Sequence, residues 1–183
     1  MAPFTRYISA AAALLGFSNA APLEKRVGTA ALTQVTSFGS NPTNTEMYIY
    51  VPKKLAAKPA VIVAIHHCQG TGPGYYQETP YGQLADQYGF IVIYPSSPYS
   101  GTCWDVSSKS ALTHNGGGDS EAIASMVTYT LSKYSADSTK VFVTGSSSGA
   151  MMTNVMAATY PEMFAAASAY SCLLYTSPSP RDS

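Results

Sequence analysis

Apolar residues in this chain come in short blocks divided by Ser, Gly, Thr and Pro, and the period inside the blocks changes along the sequence. Met47-Tyr48-Ile49-Tyr50-Val51 is aromatic and β-branched and stops at Pro52, which predicts a strand. Ala60-Val61-Ile62-Val63-Ala64-Ile65 is continuously apolar, the pattern of a strand buried on both faces of a parallel sheet. Thr79-Pro80 supplies an N-cap and a first-turn proline, and Leu84, Ala85 and Tyr88 form an apolar helix face before Gly89. Phe90 to Tyr94 predicts a second buried strand. After a Ser/Gly/Pro-rich loop from Pro95 to Gly118, Asp119 or Ser120 can cap a helix whose Ile123, Met126, Val127, Thr130, Leu131 and Tyr134 recur at helical spacing. Val141 to Thr144 is the next strand, Ala150 to Tyr160 the next helix, ended before Pro161, and Phe164 to Tyr170 a strand of small residues. Strands that alternate with helices imply right-handed crossovers and a mostly parallel α/β sheet, with no internal repeat.

Both ends depart from this pattern. Arg6 precedes an apolar run from Ile8 to Phe17, and Ser18-Asn19-Ala20 ends on small residues, so 1–20 reads as a secretion signal too short to span a membrane. Residues 21–26 close on Lys25-Arg26, which resembles a kexin-type processing site and makes this a short propeptide. The folded region is expected over 27–171. Residues 172–183 carry no strand or helix period and resemble a translated sequencing-adapter fragment, a non-native tail; a natural Ser/Pro-rich linker is the alternative.

Composition narrows the function classes. Ten basic residues balance ten acidic ones across the chain, and 27–171 holds six Lys, no Arg and eight acids. A nucleic-acid grip needs a basic stripe, and bidentate phosphate clamps favour Arg, so nucleic acid, anionic membrane and phosphoester partners are all disfavoured. Only 11% of residues are charged while Tyr reaches 14, a palette suited to handling neutral polymers outside the cell.

Between the strand at Val141 and the helix at Ala150 lies Gly145-Ser146-Ser147-Ser148-Gly149, a G-x-S-x-G. The bare letters also fit a flexible Ser/Gly linker; the preceding buried strand and following helix make it a nucleophile elbow. In such a turn Ser147 is the exposed nucleophile, and side chains at Gly145 or Gly149 would collide. The Ser148 N–H can then face the carbonyl oxygen that becomes negative during attack. A second donor should come from the loop after Ile65, which reads His66-His67-Cys68-Gln69-Gly70-Thr71-Gly72.

Four motifs stand in one order: Ile65-His66-His67-Cys68-Gln69, Gly101-Thr102-Cys103-Trp104-Asp105, Gly116-Gly117-Gly118-Asp119-Ser120, and the elbow. In this the chain resembles the fungal acetylxylan esterases of carbohydrate esterase family one, over nearly all of 27–171, and more distantly feruloyl esterases and polyhydroxyalkanoate depolymerases. The resemblance implies an α/β hydrolase, Ser147 as nucleophile and the Cys68 and Ser148 amides as oxyanion hole. It implies acetylated cell-wall polysaccharide as substrate, no cofactor, and a secreted protein, with a monomer expected. A non-catalytic carbohydrate-binding protein on the same scaffold is a reading of a different class.

The sequence departs from the family in one respect. The triad of α/β hydrolases runs Ser, acid, His along the chain, yet His66, His67 and His114 all precede Ser147. The acids after the elbow are Glu162, beside a helix end, and Asp182, inside the suspect tail, so neither is nominated. The chain is therefore expected to be a C-terminally truncated copy of a longer enzyme, inactive by itself. His66-His67-Cys68 lacks a second ligand group at zinc-site spacing, so no metal is expected. His66 or His67 is poorly placed as a borrowed base, and His114 reads as a loop histidine. Trp104 either stacks on a sugar ring or anchors its loop, and Tyr75 and Tyr76 lean towards packing. Cys68 and Cys103, the cysteines outside the tail, are expected to pair, although a longer parent could hold other partners.

Overall fold

The computed structural model describes residues 30–171. The expected signal, propeptide and tail lie outside the described residues. Within them the order is β1 (Leu32–Val35), β2 (Glu46–Tyr50), β3 (Val61–Ile65), α1 (Gly72–Glu78), α2 (Tyr81–Tyr88), β4 (Ile91–Ser96), α3 (Asp119–Tyr134), β5 (Val141–Ser146), α4 (Ser148–Thr159) and β6 (Ala166–Tyr170). One six-stranded sheet runs β1-β2-β4-β3-β5-β6. The β4-β3-β5-β6 block is parallel, while β1 and β2 are antiparallel additions at one edge. This is the α/β-hydrolase arrangement expected from the sequence.

Strand alternation divides the core in two. Val61, Val63 and Ile65 of β3, with Ile91 and Ile93 of β4 and Met47 and Ile49 of β2, face the layer of α3 and α4. Ala64, Val92, Tyr94 and Tyr50 face the other way, onto Tyr75 and Ala85 of α1 and α2. Every residue of β4 is buried, which explains why its sequence is a continuous apolar run rather than an alternation.

Five local expectations change. Leu32–Val35 forms an unforeseen edge strand, and Gly72–Glu78 an unforeseen helix. Thr79 does not start α2: its N–H and hydroxyl both donate to the Tyr75 carbonyl and close α1, so Pro80 takes the N-cap position of α2. Tyr88 is 66% exposed, because Gly89 turns the chain before the last helical position can reach the sheet. Gly118, extended at φ −102°, is the N-cap of α3, and Asp119 is its first residue.

The connections place the chemistry. The chain leaves β3 through α1 and α2 to reach β4 on one side, and leaves β5 through α4 to reach β6 on the other. The reversal creates a crevice at the carboxyl ends of β3 and β5, where ligands of open α/β sheets bind.

Candidate active site

Ser147 stands at that crevice, between the end of β5 and the start of α4, with φ 52° and ψ −119°. A non-glycine residue in this region costs about 1–3 kcal/mol and is held only by its surroundings. Here the surroundings are backbone. The Ser147 N–H donates to Tyr170 O at 3.0 Å, and Ser147 O accepts from Ala150 and Met151. A Cβ on Gly145 would lie 2.4 Å from Gly149 O, and one on Gly149 would lie 2.2 Å from Ile65 O and 2.5 Å from His66 O. Both glycines are therefore required by the close approach of α4 to the end of β3.

The loop after β3 is a tight turn. His67 O accepts from Gly70 N at 3.1 Å, and Gln69 has φ 63°, the positive value a type II turn demands at its third residue. Cys68 is bonded to Cys103, with the two Cα atoms 4.2 Å apart, and Gln69 N donates to Gly101 O at 2.8 Å. The expected disulfide thus stitches the loops that follow β3 and β4. Cys68 of this turn and Ser148 at the head of α4 come from the two elements that meet at Gly149.

His66 is fully buried. Its Nε2 accepts the Ser97 N–H at 3.1 Å, and its Nδ1 lies 2.6 Å from His67 O, so Nδ1 carries the proton. Burial holds its pKa below the usual imidazole range, and it stays neutral. His67 is the opposite case. Its Nδ1 donates to Cys68 O and its Nε2 pairs with Glu78 at 3.0 Å, and these two contacts raise its pKa. His114 donates to Thr159 O and stacks on Tyr160, ring centroids 4.4 Å apart. That is the far end of α4, about 18 Å from the elbow at 1.5 Å per residue. All three histidines are thus engaged, and none faces the Ser147 hydroxyl in a recorded hydrogen bond.

Trp104 is 4% exposed, with Nε1 donating to His66 O at 2.8 Å and its ring centroid 5.0 Å from that of His66. Its backbone N–H donates to Ser148 Oγ at 2.8 Å. Of the two roles open to it, this geometry is that of the anchor, and little of the ring is left for a sugar. Tyr75 and Tyr76 pack against the sheet, Tyr76 stacking on Tyr50.

Asp119, one of the two residues expected to cap α3, is instead a fully buried carboxyl inside the first turn. Its carboxylate accepts from Asp105 N at 3.2 Å, from Tyr99 Oη at 3.2 Å and, at 3.5 Å, from the Thr45 hydroxyl. Burial pushes its pKa up despite these donors, and burial together with the Asp119 charge pushes Tyr99 up to about 12. Its partners lie 14 to 74 positions away, so only the fold could reveal them. Among the described residues no group of His, Cys, Asp and Glu could hold a metal ion, and no helix is long and apolar enough to cross a membrane.

Known proteins share this arrangement. The chain is 71% identical over 160 residues to a probable acetylxylan esterase A of Neosartorya fischeri, covering 86% of this chain and 44% of that one. It is 73% identical over 147 residues to acetylxylan esterase A of Aspergillus awamori, covering 80% and 48%. A solved acetyl xylan esterase from Aspergillus awamori superposes with a TM-score of 0.74 at 74% identity, over 75% of this chain and 50% of that one. The chain therefore spans about half the length of the relatives it matches. Residues 46–179 match the family described as esterase PHB depolymerase, and on the strength of that match, which contains the elbow, the disulfide and the turn that carries Cys68, the chain belongs to this family.

Proposed function

We propose that this sequence carries the nucleophile and oxyanion hole of a secreted, monomeric serine carboxylesterase that removes acetyl groups from xylan. The observation that carries the reading is Ser147 at φ 52° between β5 and α4, held there by two glycines that admit no side chain. The acetylxylan esterase names of relatives about 70% identical supply the substrate class, and the disulfide suits an oxidising compartment.

In this reading the Ser147 hydroxyl attacks the ester carbonyl, and the amides of Ser148 and Cys68 stabilise the tetrahedral oxyanion. The sugar hydroxyl leaves, and water releases acetate from the acyl-enzyme. Attack needs a general base. His66, His67 and His114 are engaged elsewhere, so the base and its acid partner are assigned to the part of the relatives' length that this chain does not span.

Acetate release from acetylated xylan by the full-length parent enzyme tests the reading. Ser147→Ala abolishes it, while Ser146→Ala keeps most of it, because the central serine alone stands on the elbow. Turnover surviving in Ser147→Ala would end the nucleophile assignment. Release of a hydroxycinnamate or hydroxyalkanoate in place of acetate would keep the mechanism and change the substrate.

A further inference from the structure

We propose that His66 is a positioning residue of the oxyanion hole, a neutral imidazole that pins the plane of the His67–Cys68 peptide and so aims the Cys68 N–H. The inference rests on the oxyanion-hole reading above and goes beyond it, since His66 touches no substrate.

The argument is one of peptide geometry. A peptide unit is planar, so the His67 carbonyl and the Cys68 N–H point in opposite directions from one rigid plate. The His67 carbonyl is held from two sides, by His66 Nδ1 at 2.6 Å and by Gly70 N at 3.1 Å. With that end fixed inside the turn, the Cys68 N–H is turned outward. Gly70 is part of the device, because a Cβ there would lie 3.1 Å from His66 Cβ and 3.2 Å from Nδ1.

The ring itself is fixed from every side. Ser97 N donates to Nε2, which forces the remaining proton onto Nδ1, where the His67 carbonyl needs it. The Trp104 ring lies beside the imidazole, and the Trp104 indole N–H holds the His66 carbonyl. Ser97 Oγ donates to Cys103 O, tying the same strand end to the disulfide partner of Cys68. The charged groups that influence His66 are His67 and Glu78, which act in opposite directions, while burial favours the neutral ring. A protonated His66 would present Nε2–H to the Ser97 N–H, donor against donor, so the device works only as the neutral Nδ1–H tautomer.

Two amides separate the functions of the two nitrogens. The Asn side-chain nitrogen occupies the place of Nδ1, and the Gln side-chain oxygen that of Nε2. His66→Asn therefore keeps the bond to His67 O, and His66→Gln keeps the bond from Ser97 N. In the full-length parent, with p-nitrophenyl acetate as probe, His66→Gln should lower kcat by about 10- to 100-fold with KM nearly unchanged. That is less than the 10²–10³ typical of deleting an oxyanion donor outright. His66→Asn should recover most of that loss.

Two readouts need no turnover. In ¹⁵N-histidine-labelled protein, His66 should show a protonated Nδ1 and a bare Nε2 at neutral pH. In ¹⁵N-cysteine-labelled protein, the Cys68 amide signal should shift in His66→Gln and stay near its place in His66→Asn. An Nε2–H tautomer, or a Cys68 amide indifferent to both substitutions, overturns the proposal. If Ser147→Ala leaves hydrolysis intact, the esterase reading fails. If Ser147→Ala abolishes hydrolysis while His66→Gln and His66→Asn are equally active, only the positioning role falls.

Discussion

The two flanks of Ser147 are built differently. Towards β3 and β4, the loops are joined by the Cys68–Cys103 disulfide, and the buried His66, Trp104 and Asp119 each hold backbone of a neighbouring segment. Towards β6, all five strand residues are exposed, the sequence is Ala-Ala-Ser-Ala-Tyr, and the elbow is tied to it by the Ser147 N–H to Tyr170 carbonyl bond. On the proposed reading the two flanks serve two tasks. Stabilising an oxyanion requires backbone amides aimed before the reaction begins, and on that reading the first flank supplies them. Supplying a base requires a histidine free to accept the serine proton, and the second flank offers none among the described residues.

This contrast can be broken most forcefully at the disulfide. Cys68 and Cys103 close 35 residues, so replacing both by Ser should cost about 4 kcal/mol on the chain-entropy estimate. For a chain of this size that is a fall in Tm of about 10 °C, measured by calorimetry under oxidising conditions. An unchanged Tm would mean that hydrogen bonds alone hold the first flank.

Gly149→Ala comes next. The new methyl would press on the carbonyls of Ile65 and His66, driving α4 away from the turn that carries Cys68, with an expected cost of about 3 kcal/mol, the upper part of the overpacking range. Ester hydrolysis by the full-length parent should fall with it. Gly101→Ala is the control: it has a positive φ and open space around it, so it should cost about 1 kcal/mol and leave the elbow in place.

The adjacent histidines sharpen the comparison through pH. His66 has a lowered pKa, because burial disfavours its charge, so its stabilising contribution is present above about pH 6.5 and is lost as pH falls below it. His67 has a raised pKa, from its bonds to Cys68 O and Glu78, so its contribution is present below about pH 6.5 and is lost as pH rises through its folded value. Urea midpoints between pH 5 and 8 should therefore change slope in opposite senses for His66→Asn and His67→Asn. The His67 effect should stay under about 1 kcal/mol, since the pair with Glu78 is solvent-exposed. The smallest effect is expected on the other flank, where Ala167→Ser should move stability by no more than about 0.5 kcal/mol.

The central strands were legible because burial on both faces leaves a continuous apolar run, as in Val61–Ile65 and Ile91–Tyr94. β1 escaped notice because Leu32 and Val35 frame two exposed polar residues, and pairing with β2, not a local pattern, makes it a strand. α1 was hidden by Gly72-Pro73-Gly74, which reads as a turn. Its readable signal was Thr71, whose hydroxyl accepts from Gly74 N as an N-cap ahead of the proline. At the site, the elbow could be read directly because it depends on residue types within five positions, and the cysteine pair because Cys68 and Cys103 are the cysteines outside the tail. The roles of His66 and Asp119 could not, because Ser97 and Tyr99 reach them only after the β4 loop has folded over the β3 turn.

The most direct measurement of the account is the crystal structure of the purified full-length parent enzyme after reaction with a phosphonate ester, whose adduct mimics the tetrahedral intermediate. The account predicts phosphorus bonded to Ser147 Oγ and one phosphonyl oxygen within about 3 Å of both the Cys68 and Ser148 nitrogens. An adduct on another residue, or an oxygen turned towards β6 and away from those two amides, would contradict it.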